Sequence, residues 1–251
     1  LGSTSFDQLV DAYAQQAAGL EAAGVDLYVI ETMMTLSDAR AAVLAVRSVS
    51  AKPIFVTFTC DQNGRSISGT DITAALLVLQ GMGIDAFGLN CSAGPDQMLP
   101  QLRRLREYAR IPLIAKPNAG MPEIVNGEAV YNCPPEEFVA LVPEMLKAGV
   151  ALFGGCCGTN PDYIRALHDA VHTMTPGARD IHHGSFLCTP TMPLEISGVR
   201  VIGERINPTG KKRFQQALLA GDLDYIVDVA IAQVDAGAQI LDVNVLSLIH
   251  I

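Results

Sequence analysis

The sequence predicts an α/β protein: part of a parallel (β/α)8 barrel, about five of its C-terminal βα units, followed by a linker and a smaller α/β unit. Three observations carry that reading. From residue 25 onward, short apolar runs alternate with amphipathic segments at a regular beat, the pattern of strands buried on both faces and joined by helices. Ala, Gly, Val, Leu and Ile dominate, while aromatic residues make up 6% and Trp is absent, a composition for packed α/β layers rather than for an aromatic-rich β-sandwich. The beat also lapses once, over residues 175–197, and then resumes.

The chain opens on a helix, with a capping box at Ser5 and Gln8 and an apolar stripe of Phe6, Leu9, Val10, Tyr13, Ala17 and Leu20. Strands are predicted at Val25–Ile30, Pro53–Thr59, Ala86–Leu89, Pro112–Ala115 and Val150–Phe153. Between them, Ser37 caps a helix over Asp38–Val49, Thr70 precedes one over Asp71–Met82, and Pro134 leads into Pro135–Lys147 with Glu136 and Glu137 in its first turn. Asn160 and Pro161 start a further helix over Pro161–Thr173. Five strands in this rhythm, entered through a helix, fit part of a barrel better than a doubly wound sheet. Domain bounds follow at 1–174 for the partial barrel, 175–197 for a Pro- and Gly-rich linker containing His182 and His183, and 198–251 for the second unit. That unit reads as strand Val199–Gly203, helices Lys211–Ala220 and Asp222–Gly237, and strand Gln239–Val243.

Several function classes fall away. The 251 residues are 49% hydrophobic, so a large core can form. With 26 acidic against 17 basic side chains, a net charge of −9 disfavours a phosphate backbone, and nucleic-acid binding is not expected. The longest uncharged stretch of the first half, residues 72–84, is too short and mixed for a membrane span. Six cysteines without a leader pattern point to a reducing compartment, so a cytoplasmic location is expected.

Cysteine placement is the strongest chemical signal. Cys91 follows one strand in GLNCSAG, and the pair Cys156-Cys157 follows another in FGGCCGTNP. In a parallel barrel both loops open on the C-terminal face, where the three thiols can converge. Three thiolates with one open position describe a reactive zinc site, and the flanking glycines permit the unusual path that adjacent ligands require. Cys60, Cys133 and Cys188 read as packing cysteines. No Cys-x-x-Cys pair supports a structural zinc ribbon, and His182 and His183 beside Asp180 read as polar linker. Asn90 and Asn118 both fall past strand ends, where each can orient substrate or bond its own turn.

The segments ETMMTLSDAR, GLNCSAGP, KPNAG and GGCCGTNPDYIRAL resemble the homocysteine S-methyltransferase barrel, and GERINPTG followed by GAQILDVN resembles the start of the pterin-binding barrel. Their order is similar to that of the cobalamin-dependent methionine synthase family, over residues 1 to about 244. The resemblance implies that the second unit opens a second, truncated TIM barrel, and that Cys91, Cys156 and Cys157 are the zinc ligands. It implies a Glu31 carboxylate near the amino group of homocysteine, with Lys116 beside a carboxylate. Glu204 and Asn207 of GERIN, and Asp242 and Asn244 of DVN, would face the pterin ring, whose edge of donors and acceptors suits carboxylate and amide partners.

The implied reaction is methyl transfer to a zinc-activated homocysteine thiolate, giving methionine. Methyltetrahydrofolate would be the methyl source, and methylcobalamin the carrier, held on a cobalamin-binding module outside this chain. A cobalamin-independent homocysteine methyltransferase using a sulfonium or betaine donor is the alternative, which the GERIN and DVN segments disfavour. With five strands and then two, the fragment is expected to be inactive by itself, and its tail, residues 245–251, departs from the family pattern.

Overall fold

The computed structural model describes residues 4–178 and 180–245. The atypical tail lies outside the described residues from position 246 onward. Two compact units divide the chain, Leu1–Leu194 and Glu195–Ile251.

In the first unit, α1 (Phe6–Ala22) leads to β1 (Tyr28–Met33), α2 (Leu36–Val49), β2 (Ile54–Phe58), α3 (Ile72–Gly81), β3 (Ala86–Asn90), α4 (Pro95–Arg106) and β4 (Leu113–Lys116). The hairpin strands β5 (Pro122–Val125) and β6 (Glu128–Tyr131) follow, then α5 (Pro135–Val139), α6 (Val142–Lys147), β7 (Val150–Phe153) and α7 (Pro161–Val171). Strands β1, β2, β3, β4 and β7 form one parallel sheet in that spatial order. Each βα unit adds its strand on the same side, so the order never reverses as it does in a doubly wound sheet.

The central strand β3 is buried along its whole length, and Phe58, Phe87, Leu89 and Leu113 pack against Leu76, Leu79, Leu102 and Leu105 of the helices. Each such side chain contributes roughly 1.5–3 kcal/mol through its burial. Gly88 is required there, because a Cβ would lie 2.0 Å from the carbonyl oxygen of Ile114 on β4.

Several expected bounds shift for identifiable reasons. Strand β1 runs three residues later than its apolar run, since Met33 pairs with Phe58 of β2 beyond a bulge at Glu31 and Thr32; Glu31 therefore lies within the strand rather than at its end. Thr35, not Ser37, caps α2, accepting the N–H of Asp38 at 3.0 Å. Asp71 caps α3 by accepting from Thr73 and Ala74 and is held by Arg104 at 2.6 Å, while the Thr70 hydroxyl accepts from Leu36 instead. The single helix expected over Pro135–Lys147 breaks at Ala140 and Leu141, because Pro143 lacks an N–H and its ring opposes helical geometry before it.

The expected linker is also not bare loop. It contains a two-stranded sheet, β8 (Phe186–Thr189) and β9 (Met192–Glu195). Pro190 accepts from Asp71 N–H at 2.8 Å, Thr191 accepts from Arg65 at 3.0 Å, and the Phe186 ring meets Tyr108 edge-on at 5.8 Å. Backbone carbonyls make the polar anchors, which composition cannot reveal. His182 packs its ring against Tyr108 and Phe186.

The second unit contains β10 (Ile202–Ile206), α8 (Lys212–Ala220), α9 (Leu223–Asp235) and β11 (Ile240–Val243), with β10 and β11 parallel. Gly221, at φ +68°, ends α8, and Asp222 caps α9 through the N–H of Tyr225. As with β1, strand β10 starts three residues beyond the expected position and includes the polar Glu204-Arg205 segment.

Candidate metal centre

Three thiols meet at the C-terminal edge of the parallel sheet although their strands are not neighbours. Cys91 follows β3, Cys156 and Cys157 follow β7, and β4 lies between. The loop after β4 joins them by continuing the ladder past the strand ends. Cys91 N–H donates to Lys116 and Asn118 N–H to Ala93 on one side; Cys156 N–H donates to Pro117 and Ala119 N–H to Cys157 on the other, all at 2.9–3.2 Å. Cys91 and Ser92 both adopt φ +60°, a left-handed pair that turns the chain directly after the strand. On the other side, Gly155 is obligatory, since a Cβ would stand 2.4 Å from Thr159 Oγ1.

The Sγ atoms of Cys91 and Cys157 are 3.8 Å apart, those of Cys156 and Cys157 are 4.0 Å apart, and all three lie within 4.8 Å of one another. Tetrahedral zinc with Zn–S bonds of ~2.3 Å sets its sulfurs about 3.8 Å apart. The triangle therefore fits the ion, with the fourth position left to a further ligand. Burial pushes the Cys91 thiol up, with the neighbouring thiols adding to the rise. Ionisation of three thiols at such spacing calls for a cation among them.

Buried amides hold the triangle. Asn90 Oδ1 accepts from the Thr57 hydroxyl at 2.8 Å and from Thr32 N–H at 3.0 Å, which fixes the orientation of its amide. Its NH2 consequently donates to Thr32 Oγ1 at 2.7 Å and to Cys156 Sγ at 3.8 Å. Asn118 Oδ1 accepts the N–H of Cys157 at 3.1 Å. Both amides bond to protein groups, and both touch the thiol loops.

Glu31 forms an ion pair with Lys116 across the sheet from β1 to β4. Beside the Cys91-Ser92 turn runs an open groove of about 680 Å³, lined among others by Met34, Asp61, Arg65, Ser66, Ser92 and Met121. Burial raises the Cys60 thiol to about 12, so it stays protonated and inert.

In the second unit, Glu204 lies exposed on β10, 3.4 Å from Arg205 and 3.5 Å from Lys211. Asn207 Oδ1 accepts from Thr209 N–H at 2.9 Å, an Asx turn that rigidifies the loop after the strand. Asn244 N–H bonds the carbonyl of Ile206 at 2.9 Å, and Asp242 is exposed on β11. These four residues thus share one end of a parallel strand pair.

Residues 1–171 match the homocysteine S-methyltransferase profile. The chain belongs to the homocysteine S-methyltransferase family. Residues 203–248 match the profile described as pterin binding enzyme. Two relatives are methionine synthases, from Mycobacterium leprae (strain TN), 37% identical, and Mycobacterium tuberculosis (strain ATCC 25618 / H37Rv), 36% identical; each alignment takes in 98% of this chain. The chain spans 22% and 21% of their lengths. Among solved structures, the homocysteine methyltransferase MmuM from Escherichia coli in its apo form shares the fold at TM-score 0.56 and 24% identity, covering 66% of this chain and 57% of that one. Its oxidized form gives TM-score 0.53 and 25% identity, covering 64% and 52%.

Within the homocysteine S-methyltransferase match lie residues that the sequence reading passed over. Thr32, at φ +60°, and Thr57 lock Asn90. Tyr131 stands on the unexpected hairpin, where burial first and the neighbouring Cys157 thiol second push its pKa up. The signal for this hairpin was present in Asn126-Gly127, whose φ values of +54° and +86° make the tight turn such a dipeptide favours.

Proposed function

We propose that the first unit is part of a (β/α)8 barrel that binds homocysteine and activates its thiol for methylation to methionine. The observation that carries this reading is the thiol triangle, whose edges suit tetrahedral zinc with one open position. Cys91, Cys156 and Cys157 would hold the ion. Zinc bound there would supply the Lewis acidity that ionises a thiol at neutral pH, where a free thiol of pKa ~8.5 is only about 3% thiolate.

The other residues position the site. Asn90 directs an N–H at Cys156 and so withdraws some electron density from that sulfur, while Asn118 holds the backbone of Cys157. Glu31, aligned by Lys116, accepts the substrate ammonium. The groove beside Ser92 admits the amino acid from solvent.

The second unit is proposed to begin a pterin-binding barrel, a reading supported by the match over residues 203–248. Glu204, Asn207, Asp242 and Asn244 would bind the pterin of methyltetrahydrofolate. Arg205 and Lys211 pair with the Glu204 carboxylate and orient it. Methyl transfer through cobalamin is assigned to the whole protein, on a module outside this chain, and this chain by itself is not expected to turn over.

X-ray absorption at the zinc edge tests the central claim. The zinc-loaded chain should show three sulfur neighbours, rising to four on addition of homocysteine. A coordination shell unaltered by homocysteine would refute thiol activation at this site.

A further inference from the structure

Away from the thiol triangle, α7 carries a second cluster of ligand-type side chains on its exposed face. His168 and His172 are one helical turn apart, and their rings stack with centroids 5.3 Å apart and planes 6° from parallel. One donor atom from each of His168, Asp169 and His172 lies within 4.8 Å of the others.

The hydrogen bonds decide which ring nitrogens are available. Nδ1 of His172 lies 3.2 Å from the carbonyl oxygen of His168 and 3.0 Å from that of Asp169. Carbonyls only accept, so this nitrogen carries the proton and Nε2 keeps its lone pair. Nδ1 of His168 lies 3.2 Å from the Asp169 carboxylate, which selects the same tautomer. Both imidazoles therefore present a free Nε2 lone pair, each backed at Nδ1 by an oxygen acceptor. That is the outer-shell arrangement by which proteins orient and strengthen histidine ligands. The helix supplies the spacing, and the rings, being exposed, can tilt until the two nitrogens are about 3 Å apart, as two ligands at ~2.0–2.1 Å from one ion require.

We propose that His168 and His172 form a second metal site for a borderline divalent transition ion of the copper(II) or nickel(II) class, independent of the thiol centre. The donor set selects the class. Imidazole nitrogens without thiolates favour copper and nickel over the hard cations, and affinity rises along the series toward copper. The single carboxylate of Asp169, bonded to His168, is too small an oxygen set for calcium or magnesium.

The test separates this site from the thiols in two ways. In a Cys91→Ala, Cys156→Ala, Cys157→Ala chain that also carries His250→Ala, calorimetric titration with nickel(II) should give one site per chain. His168→Ala or His172→Ala should abolish it, Asp169→Ala should weaken it about tenfold, and His182→Ala with His183→Ala should leave it intact. Zinc-loaded chain with its cysteines in place gives the second measurement. On an immobilised copper(II)-iminodiacetate column it should need more imidazole for elution than its His168→Ala or His172→Ala variants. Elution unchanged by those substitutions, or nickel binding that follows His182 and His183 instead, would overturn the proposal.

Discussion

The side-chain carbonyl of Asn118 accepts the backbone N–H of Cys157 at 3.1 Å, tying the loop after β4 to the loop after β7. Removing that acceptor leaves a partly buried N–H without its partner, at a cost of about 1–3 kcal/mol. Asn118→Ala should lower the urea midpoint accordingly and weaken zinc binding by roughly 10–100-fold, as losses of outer-shell support do. Chelator competition reads the second effect. Full affinity in the variant would show that the Cys157 loop holds its shape without this bond.

Cys156 donates its sulfur to a triangle in which each edge depends on the other two thiols. Cys156→Ala should reduce zinc from about one ion per chain to near none, because two remaining thiolates form an incomplete set. Metal analysis after dialysis gives the answer. Retention of a full equivalent would remove these cysteines from the ligand set.

Glu31 faces Lys116 on the sheet edge that carries the thiols. If its carboxylate also receives the substrate ammonium, Glu31→Gln in the full-length protein should raise the KM for homocysteine about tenfold, the size of one charged hydrogen bond at ~1.5 kcal/mol. Zinc content should stay the same. An unchanged KM would confine Glu31 to its ion pair.

Acid sensitivity has an identifiable contributor far from the site. Glu21 accepts the Tyr28 hydroxyl at 2.6 Å and pairs with Lys52 at 3.0 Å. The Tyr28 bond first, and Lys52 next, hold its carboxyl at about 2 rather than 4.5. Because the folded value is the lower one, the stabilisation is present above about 4.5 and is lost as the pH falls toward about 2. Glu21→Gln should therefore flatten the decline of the unfolding midpoint across that window. A variant with the same pH slope would exclude Glu21 as a contributor.

The parallel sheet was legible because its inner strands β2 and β3 are buried on both faces and so written as mostly apolar runs, Ile54–Phe58 and Ala86–Asn90. The convergence of Cys91 with Cys156 and Cys157 could be anticipated because parallel strands deliver their following loops to one edge. The wiring beneath was not readable. Asn90 is locked by Thr32, 58 positions away, and no local pattern encodes a bond of that range. The hairpin bearing Tyr131 was passed over because its strands are mostly exposed and lack an apolar alternation. Strands β1 and β10 were placed too early because pairing resumes at Met33 and Ile206 beyond an irregular polar stretch, Glu31-Thr32 in one and Glu204-Arg205 in the other, where an apolar run gives no sign of it.

The interposed strand β4 also sets a schedule. Cys91 and Cys156 stand 65 positions apart in the chain, and the backbones of their loops are bridged by Pro117, Asn118 and Ala119 between them. A chain emerging from a ribosome can complete β2, β3 and their helices while owning a single member of the thiol set. Ion capture must then wait for residue 157 and for the closure of both ladders, a long-range event of the kind that forms slowly. Any metal held by all three sulfurs is thus a timestamp, marking molecules in which the last strand of the sheet has already docked.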